Sequence, residues 1–246
     1  MQCPTVAERY LSIEGCANLR DIGGYPTANG NVTRTGVIFR GDSLHNLPPA
    51  GQQALLCYGV RTIIDLRHPA EAARAPHVFA TVAGVQYLHL PVIDDEASRT
   101  LSNRTQALHV LYCLLLDGCQ PQFRAVLQAI AIAPAPLVVH CTAGKDRTGL
   151  VIALILGLAG VPAITIAADY AVSSRCLSPV LERLQQQAVL AGLKLPRDAW
   201  LLEARPETML RTLAYLDSRY GGIQGYVRRI GVAQADIDRI KALIVA

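Results

Sequence analysis

The fold can be inferred from residues 136–160, PLVVHCTAGKDRTGLVIALILGLAG. The apolar run before His140 is short and rich in valine, which predicts a buried strand, and the apolar run after Gly149 predicts a buried helix. Between these segments a cysteine, a lysine, an aspartate and an arginine fall within the seven residues from Cys141 to Arg147. A thiol and three charges at the junction of two buried elements indicate a site with a chemical role.

A strand–loop–helix junction of this kind favours anion binding. The first amides of a helix have no partner within the helix and point toward an incoming anion, and a loop wrapped around them adds further N–H donors. A cysteine at the base of the loop is close to the helix dipole and to an arginine, which favours its thiolate. The five residues between Cys141 and Arg147 let the loop curl, so that Arg147 can hold two oxygens of one oxyanion.

The bare spacing C-x5-R carries little weight, because the chain holds seven cysteines and 20 arginines. A second match, Cys3 with Arg9, has no glycine, no preceding strand and no following helix start, and we interpret it as coincidence. Around Cys141 the strand, the glycine, the threonine after the arginine and the helix all agree. The segment AGKDRT also differs from a nucleotide-binding Walker A loop, in which Ser or Thr follows Gly-Lys.

Strand-like and helix-like segments alternate along the first part of the chain. The predicted strands lie at 37–43, 61–67, 85–92 and 137–141, and the predicted helices at 48–59 and 121–131. This order predicts an α/β fold with a central, mostly parallel sheet flanked by helices. We expect a single domain over 1–246, mainly helical from 148 to 246, in which 94–120 is a candidate lid or helical insertion.

Residues 149–168 contain no charge, so their length alone would allow a membrane span. Gly157, Gly160 and Pro162 interrupt the run as the end of one helix and the start of another would. We therefore expect two buried helices and no transmembrane segment.

The composition fits a globular protein, with 51% hydrophobic and 17% charged residues and a formal charge of +4. Arginine exceeds lysine 20 to three, which suits phosphate recognition but also a GC-rich genome. We expect no nucleic-acid partner. The seven cysteines are odd in number and irregular in spacing, which is typical of reduced thiols. No signal peptide is evident, so we expect a cytoplasmic protein, with export by a route without a signal peptide left open.

The loop HCTAGKDRTG resembles the phosphate-binding loop of cysteine-dependent protein tyrosine phosphatases, and its Gly-Lys-Asp-Arg variant is similar to that of an atypical bacterial branch, family 3. Further segments resemble that branch in the expected order: NLRDIGGYPT (18–27), GVIFRGDSL (36–44), RTIIDLRHPAE (61–71), ADYAVSS (168–174) and GGIQGYVRRIGV (221–232). The resemblance implies a cysteine-phosphatase fold of the dual-specificity type. It also implies hydrolysis of phosphotyrosine, with phosphoserine or phosphothreonine and phosphoinositides as further candidate substrates.

The resemblance assigns roles around the loop. Cys141 is expected to be the nucleophile that forms a phosphocysteine intermediate, and Arg147 to bind the phosphoryl oxygens. Thr148 is expected either to donate a hydrogen bond to the sulfur or only to fill the first helical turn. His140 is expected to support the loop through hydrogen bonds. The expected contacts to a phosphate or vanadate oxyanion come from Thr142, Ala143, Gly144, Lys145, Asp146 and Arg147.

A general acid must protonate the leaving oxygen. The resemblance places Asp94, directly after a strand, on the loop that carries this acid, and Asp146 is the rival. Lys145 either attracts additional phosphates, as on an inositol ring, or supports a single phosphate.

Arg20 and Asp21 are expected to support the site through a buried ion pair. Arg40 and Asp42, just past a strand, either line the site or pair with each other.

Two alternatives stay open at this stage. A rhodanese-like sulfurtransferase also holds a cysteine in an anion-binding loop, although the arginine followed by threonine favours a phosphatase. A non-catalytic module that binds phosphorylated ligands is the other. No cofactor and no metal are expected.

Overall fold

The computed structural model describes residues 9–93, 107–190 and 204–246, with the backbone alone for 177–189. Its sheet has five strands in the order β1-β2-β5-β3-β4. The strands are β1 (Arg20–Asp21), β2 (Ile38–Gly41), β3 (Thr62–Asp65), β4 (Gln86–His89) and β5 (Leu137–His140). All neighbours are parallel except β1 and β2, so the predicted α/β fold with a mostly parallel sheet is confirmed.

The described helices alternate with the strands and make up most of the described chain beyond β5. They are α1 (Pro49–Cys57), α2 (Pro69–Arg74), α3 (Leu108–Gly118), α4 (Gln120–Ile132), α5 (Asp146–Leu158), α6 (Ala163–Leu190), α7 (Pro206–Tyr220), α8 (Ile223–Arg229) and α9 (Gln234–Ile244). Proline at the first or second position begins α1, α2, α4 and α7, where its missing N–H costs no hydrogen bond.

The central strands are buried on both faces because their alternate residues enter two different hydrophobic clusters. Ile38, Ile64 and Val139 pack with α3 to α9 in the larger cluster. Phe39, Ile63 and Val138 pack with α1 and the N-terminal segment in the smaller one. Burial on both faces explains why apolar residues follow one another in these strands instead of alternating with polar ones.

The apolar stretch 149–168 forms two helices, as predicted. Helix α5 ends at Leu158, Gly160 adopts a φ of 80°, and α6 begins at Ala163 directly after Pro162. Among the described residues, no helix combines the length and the apolar character that crossing a membrane requires.

Two features were not predicted from the sequence. β1 is only two residues long and joins the sheet edge antiparallel to β2. Helix α2 has six residues and begins with a capping box, in which Glu71 accepts a hydrogen bond from the His68 amide. The candidate lid at 94–120 is described only in part: it contains α3, and 94–106 lie outside the described residues.

Candidate active site

The phosphate-loop candidate, residues 141–147, lies at the carboxyl edge of the sheet. Gly41, His140 and Asp65 end three adjacent parallel strands in register with one another. Cys141 follows His140 and is 1% exposed, and α5 begins five residues after it, at Asp146. The carboxyl ends of parallel strands, where helices begin, are the usual place for ligand sites in such sheets.

The loop is held by its carbonyl oxygens. Four consecutive carbonyls each accept a hydrogen bond from a group outside the turn. The pairs are Cys141 O with His140 Nδ1 (3.1 Å), Thr142 O with Ser43 N (3.0 Å), Ala143 O with Asn18 Nδ2 (2.9 Å) and Gly144 O with Arg40 Nη2 (2.8 Å).

This anchoring determines where the amides of the loop point. In a planar trans peptide the N–H is directed opposite to the C=O. Because the carbonyls of residues 141–144 are turned toward their anchors, the N–H groups of residues 142–145 point the other way. A row of such amides beside a helix N-terminus forms an anion-binding concavity.

The anchors are themselves fixed by buried acidic groups. Asp169, on α6, lies 3.1 Å from Arg20 and 2.5 Å from Arg40, and all three side chains are about 1% exposed. Arg20 and Arg40 face each other across β1 and β2, so their positive charges would repel without the carboxylate. Burial opposes the charged form of Asp169, but the two arginines outweigh it and hold its pKa well below the ordinary value.

The buried ion pair expected for Arg20 therefore exists with Asp169 and not with Asp21. Asp21 instead accepts hydrogen bonds from the amides of Gly23 and Gly36 and shapes the turn that follows β1. Arg40 and Asp42 do not pair with each other either. Asp42 Oδ1 accepts hydrogen bonds from the amides of Ala17 and Asn18, which places the Asn18 side chain under the loop.

Gly144 allows the loop to lie against β2. Its φ is +68°, and a Cβ at this position would lie 2.4 Å from the carbonyl oxygen of Gly41. Both the backbone conformation and the close approach require glycine.

Arg147 forms an ion pair with Glu71, a residue that the sequence alone did not indicate. Glu71 accepts from Arg147 through both carboxylate oxygens, at 2.5 and 3.2 Å, and from the Thr142 hydroxyl. Arg147 Nη2 also donates to Thr142 Oγ1 at 3.1 Å. The position of Glu71 in the capping box of α2 was readable from HPAE, but its reach to Arg147 is a tertiary contact.

The charges around Arg147 reinforce each other. Burial would lower the pKa of Arg147, but its electrostatic interactions with Cys141 and with the Glu71 carboxylate outweigh burial and raise that pKa. Burial would likewise raise the pKa of Glu71, yet the charge and hydrogen bonds of Arg147 lower it from 4.5 to about 2. The pair is therefore ionised near neutral pH.

Lys145 and Asp146 form a second charged group at the start of α5. Lys145 Nζ lies 3.2 Å from Asp146 Oδ1, and the lysine is 1% exposed. The buried Tyr112 of α3 donates to the same carboxylate oxygen at 2.5 Å, and its hydroxyl lies 2.8 Å from that of Tyr170. Helix α3 thus contacts the phosphate-loop candidate directly.

Thr148 is fully buried, and its Oγ1 has no hydrogen-bond partner among the described residues. A buried hydroxyl without a partner costs about 1–3 kcal/mol, so such an atom points to an interaction that a bound group completes. Asp94 lies outside the described residues. Val92, two residues earlier, is fully buried in the larger hydrophobic cluster.

A group of three residues beside the loop could hold a metal ion by distance alone. The ligand atoms of Asp65, His77 and His140 lie within 4.8 Å of one another, and all three residues are buried.

Comparison with known proteins identifies relatives over most of the chain. The model of a family described as "Tyrosine phosphatase family" matches residues 11–246. A tyrosine-protein phosphatase of Nostoc commune is 32% identical over 88% of this chain and 76% of its own length. The triple specificity protein phosphatase PtpB of Mycobacterium tuberculosis is 28% identical over 94% of this chain and 98% of its own. The comparisons do not support the sulfurtransferase or the binding-module alternative.

We expect Gly144→Ala to lower the free energy of unfolding more than the same substitution at a glycine that has a positive φ but open space around it. Gly30 is the matched control, since it has a φ of +79° and open space around its Cβ position. Gly30→Ala should cost about 1–2 kcal/mol of unfolding free energy, and Gly144→Ala more, together with loss of orthovanadate binding. Urea denaturation and a binding titration measure both. Equal costs with unchanged vanadate affinity would contradict the close approach of the loop to Gly41.

Glu71→Gln should reduce kcat/KM for p-nitrophenyl phosphate about 10–100-fold, because Arg147 loses its charged clamp and its orientation. Since the folded-state pKa of Glu71 lies below 4.5, its contribution to stability is present above pH 4.5 and is lost as pH falls toward 2. The variant should therefore show a weaker dependence of stability on acid pH than the wild type. Glu207→Gln, an exposed glutamate in the first turn of α7, should change neither quantity.

Proposed function

This chain belongs to the tyrosine phosphatase family and is a phosphatase, and we propose that it hydrolyses phosphate monoesters at the Cys141 loop through a cysteinyl-phosphate intermediate. The observation that carries this assignment is the anchoring of four consecutive carbonyls, which turns the opposite amides away from the anchors, as an anion-binding loop requires. Substrate contacts would come from residues 142–147.

The chemistry follows from this arrangement. Cys141 Sγ attacks phosphorus and forms an S–P bond while the bond between phosphorus and the leaving oxygen breaks. The inward amides and Arg147 stabilise the charge on the equatorial oxygens in the transition state. Water then attacks the phosphocysteine and releases phosphate and the thiolate. Glu71 fixes the direction of the Arg147 guanidinium through both carboxylate oxygens.

We assign Thr148 the role of a donor within the loop, to the sulfur or to a phosphoryl oxygen. Its buried Oγ1 has no hydrogen-bond partner among the described residues, and Thr148 directly follows Arg147 in the sequence. A hydroxyl that donates to the sulfur would stabilise the thiolate as the leaving group of the second step.

We propose Asp94 as the general acid that protonates the leaving oxygen. Asp146 is the weaker candidate, because its Oδ1 already accepts a hydrogen bond from Tyr112 and lies 3.2 Å from the Lys145 ammonium. An oxygen that receives these donors serves as an anchor at the start of α5. His140, Arg20 and Asp21 act as supports of the loop and its surroundings.

Phosphotyrosine in proteins is the proposed main substrate, with phosphoserine or phosphothreonine and phosphoinositides as secondary ones. The name of the mycobacterial relative records triple specificity, and the loop of this chain carries Lys145 beside the anion position. A comparison of kcat/KM on phosphotyrosine and phosphoserine peptides and on phosphoinositides ranks the three classes. We also propose a cytoplasmic location, which the six free cysteines among the described residues suit.

Cys141→Ser should lower the hydrolysis of p-nitrophenyl phosphate by at least about 10³-fold, because the nucleophile is removed while the loop amides remain. Cys57→Ser, an exposed cysteine on α1, is the matched control and should keep wild-type activity. Orthovanadate should still bind the Cys141 variant. Equal activity of the two variants would contradict the covalent mechanism.

Asp94→Asn and Asp146→Asn should differ in how they respond to the leaving group. If Asp94 protonates the leaving oxygen, its variant should lose about 10²–10⁴-fold in kcat on a phenyl phosphate with a poor leaving group and much less on one with a good leaving group. Asp146→Asn should show a loss of similar size on both substrates. The opposite pattern would assign the proton to Asp146.

A further inference from the structure

A buried pair of histidines lies directly behind Cys141. His77 precedes β4 and His140 ends β5, and their Nε2 atoms are 3.0 Å apart. His77 is 6% exposed and His140 is fully buried. The pair connects the segment between α2 and β4 to the first anchored carbonyl of the phosphate loop, that of Cys141.

The partners of the two rings determine where their protons are. The amide of Phe79 donates to His77 Nδ1 at 3.1 Å, so that nitrogen is an acceptor and the proton of neutral His77 is on Nε2. His140 Nδ1 lies 3.1 Å from the carbonyl oxygen of Cys141, which can only accept, so the proton of neutral His140 is on Nδ1. His77 Nε2–H therefore donates to His140 Nε2, and all three hydrogen bonds are mutually consistent.

We propose that His77 is a positioning residue for the phosphate loop: its Nε2–H fixes the tautomer of His140 and thereby the hydrogen bond that anchors the carbonyl of Cys141. The proposal rests on the proposed function, since the loop it positions is the one assigned to catalysis. It adds a residue outside the loop, 64 positions before Cys141, to the set that controls the nucleophile.

Without the His77 donor, the other tautomer of His140 becomes competitive. A proton on His140 Nε2 would face Asp65 Oδ1, which lies 3.8 Å away. The lone pair of Nδ1 would then face the lone pairs of the Cys141 carbonyl, and the first of the four anchors would become a repulsive contact. The adjacent amide, that of Thr142, would lose its fixed direction with it.

Two further observations agree with the neutral relay. Burial, followed by the neighbouring charge of His140, lowers the pKa of His77 to about 3, and burial also lowers the pKa of His140. Asp65 Oδ1, the oxygen that faces His140, already accepts hydrogen bonds from the amide and from Nε of Arg67, each at 3.0 Å. Both histidines are thus neutral near pH 7, and Asp65 has little capacity left to draw a proton to His140 Nε2.

The competing use of these residues is a metal site, since Asp65, His77 and His140 have ligand atoms within 4.8 Å of one another. A metal would need the Nε2 lone pair of His77, which would move the ring proton to Nδ1. There it would face the N–H of Phe79, donor against donor. The backbone therefore favours the relay, and metal binding becomes an outcome of the test.

The test uses the full chain labelled with ¹⁵N-histidine, in which NMR distinguishes the protonated ring nitrogen of each histidine, with His140→Gln used for assignment. The wild type should show His140 protonated on Nδ1 and His77 on Nε2. In His77→Leu the protonated nitrogen of His140 should shift to Nε2 or become mixed, and kcat for p-nitrophenyl phosphate should fall about 10–100-fold. His77→Gln, whose amide supplies an N–H donor, should restore the Nδ1 tautomer and most of kcat.

His109→Gln, a histidine of α3 outside the relay, should leave kcat and the spectrum of His140 unchanged. An Nε2–H tautomer of His140 in the wild type would overturn the proposal, whatever the fate of the variants. So would a His77→Leu enzyme with the Nδ1 tautomer intact, or Zn²⁺ binding that shifts the signals of both rings at stoichiometric concentration. These readouts are independent of whether Cys141 is the nucleophile, which the Cys141→Ser comparison decides.

Discussion

The orientation of four peptide groups is the constraint on which this structure depends. A chain that must present amides to an anion has to turn the matching carbonyls away, and each buried carbonyl needs a donor. Here the donors are a histidine ring, a backbone amide, a carboxamide and a guanidinium, from three different segments. The fold can be understood as the frame that brings these donors to one edge of the sheet.

The electrostatics of that frame follow from burial. Two arginines directly opposite each other on β1 and β2 would destabilise the sheet edge, but the Asp169 carboxylate of α6 interacts with both. The Nη2 atom of Arg40 is then available to donate to the carbonyl oxygen of Gly144. On the open side, Glu71 does the same for Arg147. Each guanidinium near the loop thus has a carboxylate that fixes its direction and leaves it able to bind a further acceptor.

The sequence was informative where the signal is local. The run LVVH, the glycine-containing turn and the apolar helix after it predict the strand, Cys141 and Arg147, and the alternation of elements predicts the sheet. Glu71, Asp169 and His77 could not be assigned in this way, because their partners are 76, 129 and 63 residues away. A charged residue next to a strand shows only that it needs a partner, which is why Arg20 could be expected in an ion pair but not matched to Asp169. For Asp94 the role stays a prediction, since it lies outside the described residues.

The long sequence separation of the anchors has a consequence for biosynthesis. The loop of residues 141–145 takes contacts from Asn18 and Arg40, and Arg40 in turn needs Asp169 on a helix that is made later. When Cys141 has just left the ribosome, α6 cannot yet pack against β2. The thiol is therefore present before the contacts that shape the loop around it. Competence to bind phosphate at this loop therefore requires a chain that extends at least through Asp169.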